Sequence, residues 1–282
     1  MSSAEYFSNS QAINPYYHQE AVDLARAQIE HENIARLFAE AGVRVERTLP
    51  PPSSQDGVYT ANWALVRGNK AVLARLPNAR KTEEAVAENA LKQLGIEVIH
   101  VPEDWHFSGQ GDALPFGNLL FCGKGYRSDE RAQAFVADQL GFERVQLQTI
   151  PERDDQGNPK INAVTGWPDS FFYDLDLALS VIKAPDDTQG GLIAYCPEAF
   201  LPESRETLGQ LQGVEKIEVS FEEATKGFAC NLVSTGETVI MSDHAPRFKA
   251  ELEEHGLEVV CPEVTELVKG GGFIRCVSLT LE

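Results

Sequence analysis

No stretch of this 282-residue chain is apolar enough to span a bilayer, and the first fourteen residues have neither a basic start nor an apolar core of the kind a secretory signal needs. No membrane-spanning segment is therefore expected, and the protein is expected to stay where it is made. Basic residues are also scarce. Twenty-four Lys and Arg face forty-three Asp and Glu, giving a formal charge of -19, which opposes binding to phosphate backbones or anionic lipid surfaces. Nucleic acid is excluded as a partner on that ground. Cysteine pairing is missing too: Cys122, Cys196, Cys230, Cys261 and Cys276 are odd in number, dispersed, and include no Cys-x-x-Cys. Neither a disulfide framework nor a zinc site follows from such spacing, so a reducing cytoplasm is the expected compartment and no metal or other cofactor is called for. No Gly-x-Gly-x-x-Gly opens a helix after a first strand, which removes the usual dinucleotide signature.

What is present is a recurring unit. An amphipathic helical stripe, a glycine break and a short apolar strand repeat over residues 32–47, 85–101, 131–147, 203–219 and 247–260. In the first unit Ile34, Leu37, Phe38 and Ala41 form the stripe and Gly42 stops it before Val43 and Val45; Gly95, Gly141, Gly213 and Gly256 mark the same break in the others. Strand-rich stretches at 63–76, 118–122, 192–195 and 238–241 lie between them. No such unit buries its apolar face alone, so the recurrence predicts an α/β fold in which five modules close into a ring, with residues 1–282 as a single domain. A doubly wound parallel sheet is the competing architecture. Residues 150–170, rich in Pro, Asp, Asn and Gly, read as a long loop.

The chain ends in Lys269-Gly270-Gly271-Gly272-Phe273-Ile274-Arg275-Cys276, followed by an alternating, strand-like run from Val277 to Leu281. Glycine lacks a Cβ, so this turn can bring backbone close to a ligand and present the Cys276 thiol at a pocket mouth, or it can precede an ordinary buried cysteine. Polar clusters elsewhere fall in loops between the units, around Asn14, Asp56 to Asn62, His106 to Asp112, Arg127 and Asp174 to Asp176.

Several of these stretches carry a family resemblance. The run "DGVYTANWALV" at 56–66 resembles "DMVFTANAGLV" of the guanidino-group-modifying, amidinotransferase-like superfamily, in the branch of dimethylarginine dimethylaminohydrolases and arginine dihydrolases. "GQGDAL" is similar to "GAGDAL", "GYRSD" to "GFRSE", "FACNLV" to "FACNAV" and "GGGFIRCVSLTL" to "GGGAKCLTLRL", in the family's order along nearly the whole chain. The resemblance implies a five-bladed α/β propeller, the pentein fold. It also implies a thiolate mechanism in which Cys276 attacks the central carbon of a guanidino or ureido group, an amine leaves, and water hydrolyses the thiouronium intermediate; this requires a lowered thiol pKa. Carried over by position, Asn14 and Asn62 hydrogen-bond the substrate, Arg75 and Arg127 hold an α-carboxylate, Asp112 contacts the reacting guanidinium, and Asp56 and Asp176 complete the substrate-binding set.

One position departs from the pattern. Where the family reads "FYHLDT", this chain reads Phe172-Tyr173-Asp174-Leu175-Asp176-Leu177, with Asp174 in place of the histidine that serves as acid and base. An aspartate starts near 3.9, so a catalytic role for Asp174 requires burial or neighbouring carboxylates to raise it, and Asp176 would share its face on a strand. Ser108 stands where the family has a glutamate, Trp63-Ala64 replaces Ala-Gly, and His106 is an alternative acid/base; His18, His31, His100, His244 and His255 have no supporting pattern. Three functions remain open: a hydrolase of arginine or an arginine-like compound, an amidinotransferase, or an inactive homologue that binds such a ligand. A small guanidino or ureido molecule is the expected partner in each, and a homodimer is compatible with all three.

Overall fold

The same supersecondary step is taken four times along the chain: an antiparallel hairpin, then a helix, then a third strand laid parallel to the second. The computed structural model describes residues 1–17, 20–186 and 190–281. After helix α1 (Leu24–Glu40), strands β1 (Ala64–Arg67) and β2 (Lys70–Leu73) form a hairpin, helix α2 (Glu83–Gln93) crosses over, and β3 (Glu97–His100) pairs parallel with β2. Strands β4 (Ala113–Phe116) and β5 (Leu119–Gly123), helix α3 (Glu130–Leu140) and β6 (Glu143–Leu147) repeat the pattern. So do β7 (Leu179–Lys183), β8 (Gly191–Tyr195), α4 (Pro202–Gln210) and β9 (Val214–Glu218). After α5 (Phe221–Lys226) come β10 (Val233–Ser234), β11 (Thr238–Ile240), α6 (Pro246–Glu254) and β12 (Glu258–Val260).

Each middle strand is buried on both faces, which is why β5 and β8 read as unbroken apolar runs, Leu-Leu-Phe-Cys and Leu-Ile-Ala-Tyr. The helices stop where the sequence breaks their stripe: Gly141 caps α3 in the left-handed region at φ 70°. Helix α1 begins at Asp23, whose carboxylate accepts from Arg26 N–H at 3.1 Å. Among the described residues, no helix is long and apolar enough to cross a membrane.

The expected fold is present in its coarser form, an α/β protein of small mixed sheets, and differs in two details. Four three-stranded sheets are formed among the described residues, and they are not hydrogen-bonded to one another into a closed ring. The first predicted unit has its helix, but Val43 and Val45 form no strand; only an isolated parallel bridge, Ser2 to Thr48, follows α1. The physical reason is that, among the described residues, no hairpin precedes this helix to offer a free edge. The alternation over 277–281 likewise does not make a strand. Leu279 and Leu281 instead pack against the apolar cluster of Trp63, Leu73 and Leu91, which accounts for their spacing without a ladder.

Glycine at 270–272 is demanded by crowding. A Cβ on Gly271 would lie 2.3 Å from Asn14 Oδ1, and one on Gly272 would lie 2.5 Å from the Tyr59 ring. Gly271 also sits at φ 83°. Gly271→Ala should therefore cost more than about 1 kcal/mol of stability, through strain and displacement together, read as a lower urea midpoint at unchanged slope.

Candidate active site

Asn231 organises the turn that carries the thiol. Its side-chain oxygen accepts from three successive-turn amides, Phe273 N–H at 3.2 Å, Arg275 N–H at 3.1 Å and Cys276 N–H at 3.2 Å, while its Nδ2 donates to Cys276 Sγ at 3.2 Å. One buried amide thus serves four polar groups, and for the Phe273 and Cys276 amides it is the acceptor on which their satisfaction rests. The preceding glycine turn is clamped from outside: Asn14 Nδ2 donates to Gly270 O at 3.1 Å, Tyr59 Oη to Leu267 O at 2.5 Å, and Tyr173 Oη to Gly271 O at 2.8 Å. The thiol-bearing turn is joined to the "TAN" segment through Ala61 N–H, which donates to Cys276 O at 3.0 Å. Asn231 was not among the residues singled out from the sequence, although the "FACNLV" stretch contains it.

A narrow cavity opens onto Cys276. Asn14, Asp56, Asn62, Ser108, Arg127, Tyr173 and Asp174 line it together with the thiol. Asn62 is the hinge of its polar wall: Nδ2 donates to Asp174 Oδ2 at 2.7 Å and to Ser108 Oγ at 3.0 Å, and Oδ1 accepts from Arg80 at 2.7 Å. Gly111 makes room for this contact, since a Cβ there would lie 2.5 Å from Asn62 Nδ2 and 2.8 Å from Asp174 Oδ2. Arg127 is buried, donates to Ile13 O, and lies over the rings of Tyr173 at 5.1 Å and Trp167 at 5.7 Å. Its Nη1 has no hydrogen-bond partner among the described residues.

The other sequence candidates fall elsewhere. Arg75 does not line this cavity; it pairs with Glu84 at 3.1 Å and donates to Val101 O, while Arg80, five residues on, supplies the guanidinium in the wall. Arg80 is bound to Glu83 at 2.7 Å, and nothing in the local sequence distinguished it from Arg75. Asp112 lies behind the wall, accepting from Leu175 N–H at 3.2 Å. Asp176 belongs to a short 3₁₀ turn, 175–177, and not to a strand, so it does not share the Asp174 face. It lines a different cavity of about 730 Å³, while its Oδ2 lies 3.8 Å from Cys276 Sγ. His106 packs tilted against Trp167, with ring centroids 4.1 Å apart, and does not line the thiol cavity. His18 lies outside the described residues.

Electrostatics set the resting protonation. The Cys276 thiol is raised well above its ordinary value, first by burial and then by the negative charge of Asp176, so the lowered pKa expected from the sequence is not found in the protein's own groups. Burial raises Asp112, Asp174 and Asp176 as well; Asp174 adds to the first and third, whereas Arg127 works against the rise at Asp174. Burial also lifts Asp56 to about 6, against the pull of Arg80 and of the Tyr17 hydroxyl, which donates to it at 2.6 Å.

A carboxyl held above its unfolded value stabilises the fold at low pH and loses that contribution as pH rises through the folded value. Between 3.8 and about 6 the Asp56 contribution should fall, so Asp56→Asn should gain on the wild type across that window, by at most about 3 kcal/mol at 1.4 kcal/mol per pH unit. Urea midpoints of both proteins at pH 4 and pH 7 measure it.

Fold and site together define a class: an α/β protein of small mixed sheets in which a buried thiol and buried carboxyls face one cavity. Comparison with known proteins gives the particular family. No family model matches the chain. It is 32% identical over 286 residues to an N(G),N(G)-dimethylarginine dimethylaminohydrolase of Mycobacterium tuberculosis, covering 100% of this chain and 84% of that one. It is 28% identical over 282 residues to the bifunctional arginine dihydrolase/ornithine cyclodeaminase ArgZ of Synechocystis sp., spanning 98% of this chain and 36% of that protein. The crystal structure of the N-terminal domain of ArgZ bound to its substrate aligns with a TM-score of 0.84 at 27% identity, covering 99% of this chain and 96% of that one. The chain belongs to the guanidino-group-modifying superfamily, in its dimethylarginine dimethylaminohydrolase and arginine dihydrolase branch of C–N hydrolases.

Removing the Asn231 amide should leave the Phe273 and Cys276 amides without an acceptor, while the Arg275 amide keeps the Asn231 carbonyl at 3.4 Å. Asn231→Ala is expected to cost about 2 kcal/mol or more in urea unfolding, a loss that Asn231→Asp, which keeps the acceptor, largely spares at low pH.

Proposed function

We propose that this chain hydrolyses the guanidino or ureido C–N bond of arginine or an arginine-like compound through a covalent thiouronium on Cys276. The observation that carries the reading is that Cys276, Asp174, Asn62, Asp56 and Arg127 line one cavity, and that Arg127 Nη1 is buried without a partner among the described residues. Arg127 suits a carboxylate at the far end of such a substrate, because a buried guanidinium nitrogen without a partner is costly until an acceptor reaches it. Asp174 offers the negative pole for the cationic guanidinium, and Asn62 holds that carboxyl in place. The thiol keeps its proton among the protein's own charges, so the thiolate forms only once a cation arrives beside it. The solved structure of the N-terminal domain of ArgZ covalently bound to a reaction intermediate, 26% identical with a TM-score of 0.83, supports a covalent route.

On the same reading residues 1–282 are one domain, and α1 with its single bridge is the residue of a fifth module in the propeller. An amidinotransferase would require an added amine for turnover. A ligand-binding homologue without turnover is favoured by one observation, the carboxyl at 174 where an imidazole is expected.

The protein should release ammonia, methylamine or urea from one member of a panel of arginine, methylated arginines, citrulline, agmatine and guanidino acids. Cys276→Ser should abolish the release, and intact mass should show any trapped adduct on Cys276. Binding across the panel without product or adduct would sink the hydrolase reading.

A further inference from the structure

We propose that Asp112, Asp174 and Asp176 hold a shared proton, and that Asp174 delivers it to the leaving amine, doing with a carboxyl what the aligned motif does with an imidazole. This rests on the hydrolase reading above. Three carboxyls are buried together around the short turn that begins at Leu175, each at most 2% exposed. Each has one oxygen in use and one without a hydrogen-bond partner. Asp112 Oδ1 accepts from Leu175 N–H, Asp174 Oδ2 from Asn62, and Asp176 Oδ2 faces the Cys276 thiol, whereas Asp112 Oδ2, Asp174 Oδ1 and Asp176 Oδ1 are unpaired.

Three ionised carboxylates in that state would combine mutual repulsion with unsatisfied buried acceptors, which is the condition under which neighbouring acids share a proton. The facing cations do not cancel them. Arg127 and, more remotely, Arg80 act on Asp174, and Arg275 acts on Asp176. Arg80 is committed to Glu83, which leaves two guanidiniums, Arg127 and Arg275, against three carboxylates. Also facing the cluster are Asn62 and Ser108 at Asp174, Ser128, Cys122 and Tyr126 at Asp112, Asn231 and Cys230 at Asp176, and Tyr173 and Cys276. Burial pushes all three carboxyls above the ordinary range, in agreement with a retained proton.

The steps balance. Cys276 Sγ–H passes its proton to Asp176, and the thiolate bonds to the guanidino carbon. The C–N bond to the leaving nitrogen breaks as that nitrogen takes the Asp174 proton, leaving a thiouronium and a free amine. Water then adds to the carbon and gives a proton to Asp174, and the C–S bond breaks as sulfur recovers its proton from Asp176. The protonated ureido product loses its proton to the departed amine, so the cluster returns to its starting state. Asp174 is the catalytic acid and base in this scheme, and Asp112 is a positioning residue that acts through its charge.

The test joins pH–kcat profiles to the infrared stretch of protonated carboxyl in the full chain, using whichever guanidino compound of the panel turns over. The wild type should show that stretch at neutral pH, and kcat should fall tenfold per pH unit above an alkaline limb set by Asp174. Asp174→Asn should lower kcat by about 100-fold or more and slow the formation of the Cys276 adduct with it, because the leaving nitrogen then has no acid beside it. Asp112→Asn should move the limb to lower pH, because loss of a neighbouring negative charge lets Asp174 ionise sooner, and Asp174→His should restore turnover with a limb near the imidazole value. Turnover by the wild type without a protonated-carboxyl stretch, or an Asp174→Asn enzyme with unchanged kcat and limb, overturns the shared proton and leaves the hydrolase standing. Absence of turnover and adduct with every compound removes the hydrolase reading and this inference with it.

Discussion

The buried amide of Asn231 is the contact on which the site depends. A thiol at the end of a glycine turn has no fixed direction, because glycine gives the backbone its greatest freedom there. One side chain removes that freedom by accepting from the amides of residues 273, 275 and 276 and donating to the sulfur they carry. The outer clamps from Asn14, Tyr59 and Tyr173 then hold the same turn against the cavity wall. Helix α1 contributes from further away. Glu30, buried on its inner face, accepts from the amides of Thr265, Glu266 and Leu267 and so fixes the start of the 3₁₀ turn that leads into the glycines.

The consequence is a site whose shape is determined by polar satisfaction more than by apolar packing. Asn62 links Asp174, Ser108 and Arg80, and Arg80 in turn reaches Glu83 and the carbonyls of Asp56 and Tyr59. Every link is buried, where hydrogen bonds are strong and a missing partner is expensive. With Ser108 and Asp174 standing where the family pattern has a glutamate and a histidine, a carboxyl is lost at one wall position and gained at another.

Much of this was legible in the sequence, for identifiable reasons. Helix stripes with glycine breaks found the four later modules, because a 3.6-residue apolar period followed by a left-handed glycine leaves little choice of local structure. The same grammar overreached at Val43 and Val45, where a strand pattern lacked an edge to pair with, and at Val277 to Leu281, where alternation reflected packing of Leu279 and Leu281 alone. The motif around Cys276 marked the thiol. It did not disclose the amide that aims it, since Asn231 lies forty-five residues earlier.

Residue types and spacing by themselves determined the modules, the cysteine turn and the unusual carboxyl at 174, since each is a local property of a few neighbouring positions. Only the tertiary structure decided which arginine enters the cavity, where Asp112 and Asp176 stand relative to the thiol, and what protonation the sulfur and the acids take. Those outcomes depend on burial and on the distance between groups far apart in the chain. Arg75 and Arg80 look alike in a string of letters, and they part only when one meets Glu84 at the edge and the other meets Asn62 inside.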